Sequence, residues 1–112
     1  MLIDFLSMEE KANPNFKGGE KEYNVKMFSD SSCKIMRGRL VKGASIGFHT
    51  HDNNCEMIYV ISGQGVMVGN DGVTEEIMTA GQCSYCPKGE GHSFINREDE
   101  DLIFFAVVPE VR

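Results

Sequence analysis

The feature that most constrains this 112-residue chain is a succession of short alternating segments that are separated by turn residues. Alternation of apolar and polar side chains over a few residues is typical of half-buried strands, and no segment shows the length and 3.6-residue period of an amphipathic helix. The predicted strands are residues 34–42, 56–61, 65–68, 73–78, 82–86, 93–96 and 102–108. We therefore expect an all-β protein, built as an antiparallel sandwich or barrel.

The turns divide the chain into a poorly patterned beginning and a well patterned remainder. Asn70-Asp71-Gly72 is the sharpest hairpin signal, because Asp-Gly readily adopts the positive φ angles of a tight turn. Residues 9–32 are polar, rich in Gly, Asn and Lys, and carry little periodic signal. We expect residues 1–32 to form an N-terminal arm with short strands that pack on the barrel. Residues 33–112 then form the barrel, and the whole chain is one domain.

The last predicted strand, residues 102–108, is apolar without alternation, which indicates that both of its faces are covered. The barrel core covers one face. The other face is covered either by a second copy of the chain or by apolar residues of the N-terminus, namely Leu2, Ile3, Phe5 and Leu6. The first alternative predicts a homodimer.

Charge and hydropathy exclude several classes of partner. The chain has 11 Lys and Arg against 17 Asp and Glu, a net charge of −6, so nucleic acid and anionic membrane surfaces are poor partners. The apolar start is interrupted by Asp4 and is followed by Glu9 and Glu10, unlike a secretory signal, and no stretch approaches a membrane span. We expect a cytoplasmic protein.

The four cysteines are expected to be free thiols, because a reducing compartment disfavours disulfides. Cys83-Ser84-Tyr85-Cys86 has the spacing of a redox pair, but the segment alternates like a strand and ends in a turn at Pro87. Residues three apart in a strand point to opposite faces. A structural role for these thiols is therefore favoured over a redox or zinc site.

The residues that carry chemistry are the three histidines and one glutamate. His49 and His51 share one face of a strand, about 7 Å apart at the usual rise of about 3.3 Å per residue. Residues 52–55 form a turn, after which Glu56 returns on the neighbouring strand, and His92 arrives from a later one. Two histidines and a carboxylate around a metal leave positions open for water or substrate. The alternative is that these are ordinary histidines satisfied by hydrogen bonds.

Two sequence motifs give the chain a strong resemblance to the cupin superfamily, specifically to small single-domain cupins. The first motif, G-x5-H-x-H-x4-E-x6-G, is matched by Gly43, His49, His51, Glu56 and Gly63. The second motif, G-x5-P-x-G-x2-H-x3-N, is matched by Gly81, Pro87, Gly89, His92 and Asn96. The match spans residues 43–96.

The resemblance implies a jelly-roll-like antiparallel β-barrel that holds one divalent transition metal, either Mn, Fe, Ni, Zn or Cu. The metal ligands carried over from the motifs are His49, His51, Glu56 and His92. Such a centre fits a metal-dependent enzyme that acts on a small oxygen-rich molecule by isomerase, decarboxylase, lyase or dioxygenase-type chemistry, with the metal as Lewis acid. The alternative is a non-catalytic protein that binds or senses a small sugar or organic acid. No catalytic residue is assigned.

Alternation also predicts which side chains line the space around the metal. If Glu56 and His92 point inward, so do the residues two and four positions later in each strand. The predicted pocket residues are Ile58, Val60, Phe94 and Asn96. For Asn96 we expect a structural or supporting role rather than metal ligation.

Overall fold

The computed structural model describes all residues, 1–112, and shows ten antiparallel strands and one short 3-10 helix, Phe16–Gly18. The strands are β1 (Lys11–Pro14), β2 (Glu22–Ser29), β3 (Cys33–Leu40), β4 (Ser45–Thr50), β5 (Glu56–Ser62), β6 (Gln64–Val68), β7 (Glu75–Thr79), β8 (Cys83–Cys86), β9 (Gly91–Ile95) and β10 (Leu102–Pro109). The chain contains no helix with the length and apolarity that crossing a membrane requires.

The strands form two sheets that face each other. The larger sheet has the order β1-β2-β3-β10-β5-β8, and the smaller one has the order β4-β9-β6-β7. Fully buried side chains from both sheets meet between them: Leu40, Ile58, Val60, Phe94, Leu102 and Phe104. The all-β prediction is confirmed, and the two facing sheets form a β-sandwich rather than a single open sheet.

Three strands lie outside the seven predicted ranges: β1 and β2, in the arm for which short strands were expected without bounds, and β4, which carries His49. Strand β2 alternates Tyr23, Val25 and Met27 with polar residues. This pattern is short and is flanked by Gly, Asn and Lys, so the sequence alone did not delimit a strand there. β1 and β2 join the larger sheet through the pairing of β2 with β3, from Asn24 opposite Arg39 to Ser29 opposite Lys34.

The hairpin between β6 and β7 contains the predicted turn, and Gly72 has a φ of 73°. The turn is longer than expected, because the Asp71 carboxylate accepts hydrogen bonds from the backbone N–H groups of Val73 and Thr74. These bonds hold both residues in the turn, and β7 therefore begins at Glu75 rather than at Val73.

The covering of β10 follows the predicted two-sided pattern. Its residues alternate between buried and half-buried along the whole strand. Phe5 packs edge-on against Phe105 with ring centroids 5.0 Å apart, so the N-terminus covers part of the outer face. Leu2 and Leu6, which were expected to help, are 100% and 93% exposed.

All four cysteines are free. Cys83 is exposed and Cys86 is buried, so the two thiols of the C-x-x-C segment lie on opposite faces of β8. Burial raises the pKa of the Cys86 thiol to about 11, with a smaller contribution from the Glu56 carboxylate. A thiol with such a pKa is protonated at neutral pH and is a poor nucleophile.

Candidate metal centre

A β-bulge in β4 turns His49 toward the space between the sheets. Ile46 pairs with Phe94 of β9, and His49 pairs with His92. Between these two pairs β4 has two residues where β9 has one. The extra residue lets both Ile46 and His49 point inward although they are three positions apart, and leaves Phe48 45% exposed. Without the bulge, strict alternation would put His49 on the outer face.

The remaining three residues of the group arrive from three different places in the chain. His51 directly follows β4, Glu56 begins β5, and His92 lies near the start of β9. The turn between His51 and Glu56 brings the carboxylate back beside the imidazoles, as the spacing predicted. All four side chains are largely buried, with exposures between 6% and 15%.

The ligand atoms of His49, His51, Glu56 and His92 all lie within 4.8 Å of one another. Glu56 Oε1 is 2.8 Å from His92 Nε2, 3.2 Å from His51 Nε2 and 3.9 Å from His49 Nε2. His51 Nε2 and His92 Nε2 are 3.1 Å apart. The three imidazole rings are nearly equidistant, with centroids 4.9 to 5.0 Å apart.

Hydrogen bonds to the far side of two rings orient them for ligation. His49 Nδ1 donates to the Gly47 carbonyl at 2.8 Å, and His51 Nδ1 donates to Asn54 Oδ1 at 2.6 Å. When the ring is neutral and its proton is on Nδ1, each Nε2 turns a lone pair toward the other ligand atoms. This is the outer hydrogen-bonding that metal-ligating histidines usually show. A doubly protonated His51 donates instead from Nε2 to Glu56 Oε1, 3.2 Å away.

Burial and hydrogen bonding shift the pKa values of Glu56, His49 and His51 in different directions. Burial would raise the pKa of Glu56, but hydrogen bonds from His51 and His92 outweigh it and lower the pKa to about 2. The hydrogen bond to Glu56 raises the pKa of His51, whereas burial lowers the pKa of the more distant His49. The group therefore combines a carboxylate that is ionised at neutral pH with a His51 ring that holds a proton more readily than the His49 ring does.

This donor set fits a metal ion. A buried carboxylate oxygen and inward lone pairs lie within hydrogen-bond distance of one another, and only a proton or a cation placed among them makes the contacts favourable. Three imidazole nitrogens and one carboxylate oxygen suit the first-row divalent ions from manganese to zinc. The four residues could hold one such ion.

The group lies in the wall of a cavity of about 430 Å³ between the two sheets. Of the predicted pocket residues, Ile58 and Phe94 line this cavity. Val60 and Asn96 point inward as alternation predicts and are fully buried, but they lie outside the cavity wall.

The side chain of Asn96 forms hydrogen bonds only with backbone groups. Its side-chain N–H groups donate to the carbonyls of Leu40 and Glu100, and its side-chain oxygen accepts from the Glu98 N–H. These bonds fix the loop between β9 and β10. Asn96 therefore has a structural role, as expected from the sequence.

Sequence reasoning missed the part of the cavity wall that comes from the N-terminal third of the chain. Phe16, Lys17, Tyr23 and Val25 all line the cavity. The alternation of Tyr23, Val25 and Met27 would have placed β2 in a sheet. No local pattern shows that the loop before β2 folds over the same space.

The fold and the site together define a small two-sheet β protein with a candidate centre of three histidines and one carboxylate. The Cupin domain family model matches residues 36–108. The chain belongs to the cupin family, which confirms the resemblance inferred from its two motifs.

Three comparisons show how closely this chain resembles known proteins. An oxalate-binding protein from Thermotoga maritima is 29% identical over 96% of this chain and 93% of its own length. A crystal structure of a predicted oxalate decarboxylase from Thermotoga maritima has a TM-score of 0.91 and 26% identity, covering 99% of this chain and 100% of that one. A sugar phosphate isomerase of the cupin superfamily from Silicibacter pomeroyi has a TM-score of 0.80 and 25% identity, covering 99% of this chain and 76% of that one.

Proposed function

We propose that this protein binds a small dicarboxylic acid, oxalate or a close analogue, at a divalent transition metal held by His49, His51, Glu56 and His92. The observation that carries the proposal is the position of these four groups in the wall of the 430 Å³ cavity, where an entering molecule meets them directly. When bound, the metal supplies a Lewis-acid centre that carboxylate oxygens can chelate. The resemblance to an oxalate-binding protein over nearly the whole chain supports oxalate as the first ligand to test.

The charges around the cavity explain why an anion would bind to a protein with a net charge of −6. Lys17 and Lys34 line the cavity together with Asp52 and Glu110, and the two pairs of charges balance. A divalent cation beside the single Glu56 carboxylate leaves the centre itself net positive. The attraction for a dicarboxylate is therefore concentrated at the four ligands.

The rest of the wall is suited to a small ligand. Ile46, Ile58, Phe94 and Val108 give the cavity an apolar lining, which displaces water and strengthens electrostatic contacts at the ligand end. The volume lies at the lower end of the range for small-molecule sites, so a compact acid fits better than a sugar polymer or a peptide.

The first experiment measures metal per chain by elemental analysis and then titrates the metal-loaded protein calorimetrically with oxalate. We expect about one metal ion per chain and saturable binding of oxalate, with acetate binding much more weakly because it cannot chelate through two carboxylates. The His49→Ala/Glu56→Ala double variant should lose both the metal and oxalate binding. A metal-loaded wild type that does not bind oxalate would show the proposal to be wrong.

A second candidate is decarboxylation of the same acid, a reaction in which hydrogen oxalate yields formate and carbon dioxide. It is favoured by Asp52 and Glu110, which line the cavity and whose carboxylates can take the proton of hydrogen oxalate and return it to the new C–H bond. The resemblance to a predicted oxalate decarboxylase supports testing it. Formate release from the metal-loaded protein, abolished in an Asp52→Asn or a Glu110→Gln variant, would identify an enzyme. Tight binding without formate would identify a binding protein.

A further inference from the structure

Tyr23 places the one buried hydroxyl group in the wall of the cavity that holds the candidate metal centre. Tyr23 is 4% exposed, and its side chain projects from the inner face of β2 into the cavity that Glu56 also lines. The other buried side chains of this wall, apart from the four ligands, are mainly aliphatic or aromatic. A polar atom at this position therefore stands out against its surroundings.

The ring of Tyr23 is held in a fixed place. It stacks on Phe104 with centroids 5.8 Å apart and packs at a tilt against Phe16 with centroids 5.4 Å apart. Gly38 leaves the room for it, because a Cβ at that position would come within 2.8 Å of the Tyr23 ring. A rigid ring holds its hydroxyl at a defined point of the cavity with little loss of conformational entropy on binding.

The hydroxyl has only a weak partner within the protein. It donates to Met36 Sδ at 3.8 Å, and it makes no other hydrogen bond. A thioether sulfur is a poor acceptor, so a buried O–H that faces only sulfur is not fully satisfied. Burial raises the pKa of Tyr23, and the Glu56 carboxylate raises it further, so the group keeps its proton and remains a donor.

We propose that the Tyr23 hydroxyl donates a hydrogen bond to a carboxylate oxygen of the acid bound in the cavity and thereby contributes to selection for oxalate. This inference rests on the proposed function and assigns one residue of this chain to it. The stronger acceptor replaces the Met36 sulfur when the ligand enters. An acid without an oxygen at that point leaves the hydroxyl with sulfur alone and binds less tightly.

The test is the Tyr23→Phe variant, which keeps the ring between Phe16 and Phe104 and removes only the hydroxyl. Calorimetric titration of the metal-loaded variant with oxalate is expected to show an affinity about 10-fold or more below the wild type, the usual effect of losing a hydrogen bond to a charged group. Metal content should stay at the wild-type level. The melting temperature without oxalate should stay within about 4 °C of the wild type.

Tyr59→Phe is the matched control, because Tyr59 lies on the outer face of β5 and is 48% exposed. It should bind oxalate like the wild type. If the wild type binds oxalate and Tyr23→Phe binds it equally well, the role of Tyr23 is wrong and the proposed function stands. If the metal-loaded wild type does not bind oxalate, both the proposed function and the inference are wrong.

Discussion

At the scale of single residues, the candidate centre depends on groups that orient the histidines as well as on the histidines themselves. The Gly47 carbonyl and the Asn54 side-chain oxygen each accept the Nδ1 proton of one ring. Each bond fixes both the tautomer and the rotation of its imidazole, so that Nε2 faces the other ligand atoms. The backbone carbonyl cannot be removed by substitution, whereas the asparagine can.

Replacement of Asn54 should therefore weaken metal binding although Asn54 is not a ligand. In Asn54→Ala, His51 loses the acceptor for its Nδ1 proton and can rotate or change tautomer. We expect metal affinity to fall by about 10-fold to 100-fold, measured by competition with a chromophoric chelator. Asn54→Asp keeps an oxygen acceptor and should retain most of the affinity.

The matched control is Asn53→Ala, in the same turn, because the Asn53 side chain makes no hydrogen bond and only its backbone carbonyl is used, by the Val111 N–H. It should bind metal like the wild type. Equal losses in Asn53→Ala and Asn54→Ala would mean that the turn as a whole, rather than the bond to His51, sets the affinity.

At the scale of secondary structure elements, the segment before β2 is fitted closely against β4. Asn15, Lys17 and Lys21 have φ angles of 51°, 55° and 54°, and no other non-glycine residue has a positive φ. Backbone conformations of this kind persist only where the surroundings hold them in place. The strand β4 holds this segment at Gly47, where the two backbones approach too closely for any side chain.

A side chain at Gly47 should consequently push this segment away from the cavity. A Cβ there would collide with the Lys17 carbonyl and lie 2.8 Å from the Gly19 nitrogen. We expect Gly47→Ala to lower the free energy of unfolding by about 1–3 kcal/mol, measured by urea denaturation. Gly69→Ala, where the nearest atom lies 3.7 Å from the new Cβ, should change it by less than about 0.5 kcal/mol. A tolerated Gly47→Ala would contradict the close packing of the two backbones.

The N-terminal arm is held to the larger sheet by an ion pair that responds to pH. Arg39 donates two hydrogen bonds to the Glu10 carboxylate, at 2.6 and 3.0 Å, and a third to Asp101 at 3.2 Å. The hydrogen bond from Arg39 lowers the pKa of Glu10 below its ordinary value of 4.5, and burial opposes the effect. Because the pKa is lower in the folded state, this contribution to stability is present above pH 4.5 and is lost as the pH falls below it.

The Glu10→Gln variant should therefore differ from the wild type only above that range. At pH 7 we expect its free energy of unfolding to be lower by up to about 1 kcal/mol, since the pair is partly exposed. The difference should shrink as the pH falls below 4.5, where Glu10 takes up a proton in both the folded and unfolded states. Thermal melts at several pH values measure this, with Glu9→Gln as the control. A difference that does not change with pH would contradict the assignment.

The sequence predicted which four residues form the candidate centre more fully than it predicted the strands around them. Metal ligation needs particular side chains at fixed spacings, so the four residues could be named from two motifs. The bulge at Gly47 has no such signature, and predicting a common face for His49 and His51 succeeded because both residues follow the bulge. Tyr23 was missed because its contact with the site depends on the pairing of β2 with β3, which joins residues far apart in the chain.

At the scale of the whole molecule, neither face of the larger sheet is an ordinary solvated surface. The inner face forms the core and the cavity. On the outer face, Tyr59, Ile61 and Tyr85 are 48%, 40% and 64% exposed, and they lie on the neighbouring strands β5 and β8. Met57 pairs with Tyr85 and with Val107 of β10, which extends the apolar surface toward Phe105.

This outer face favours the homodimer that the apolar last strand predicted. An apolar area spanning three strands is larger than the scattered exposed residues of a typical monomer, and a second copy of the chain would cover it symmetrically. The exposed Leu2 and Leu6 lie on the same arm as Phe5, which already packs on this face, and could extend the contact.

We expect sedimentation velocity to show a dimer at micromolar concentration. A Tyr59→Lys/Tyr85→Lys variant places like charges on both sides of the symmetric contact and should sediment as a monomer with unchanged metal content, because both residues lie outside the cavity. The same double substitution at Val73 and Ile77, which are 78% and 64% exposed elsewhere, is the control and should leave the dimer intact. A monomeric wild type would show that the N-terminal arm alone covers β10 and that the outer face of β5 and β8 is simply exposed.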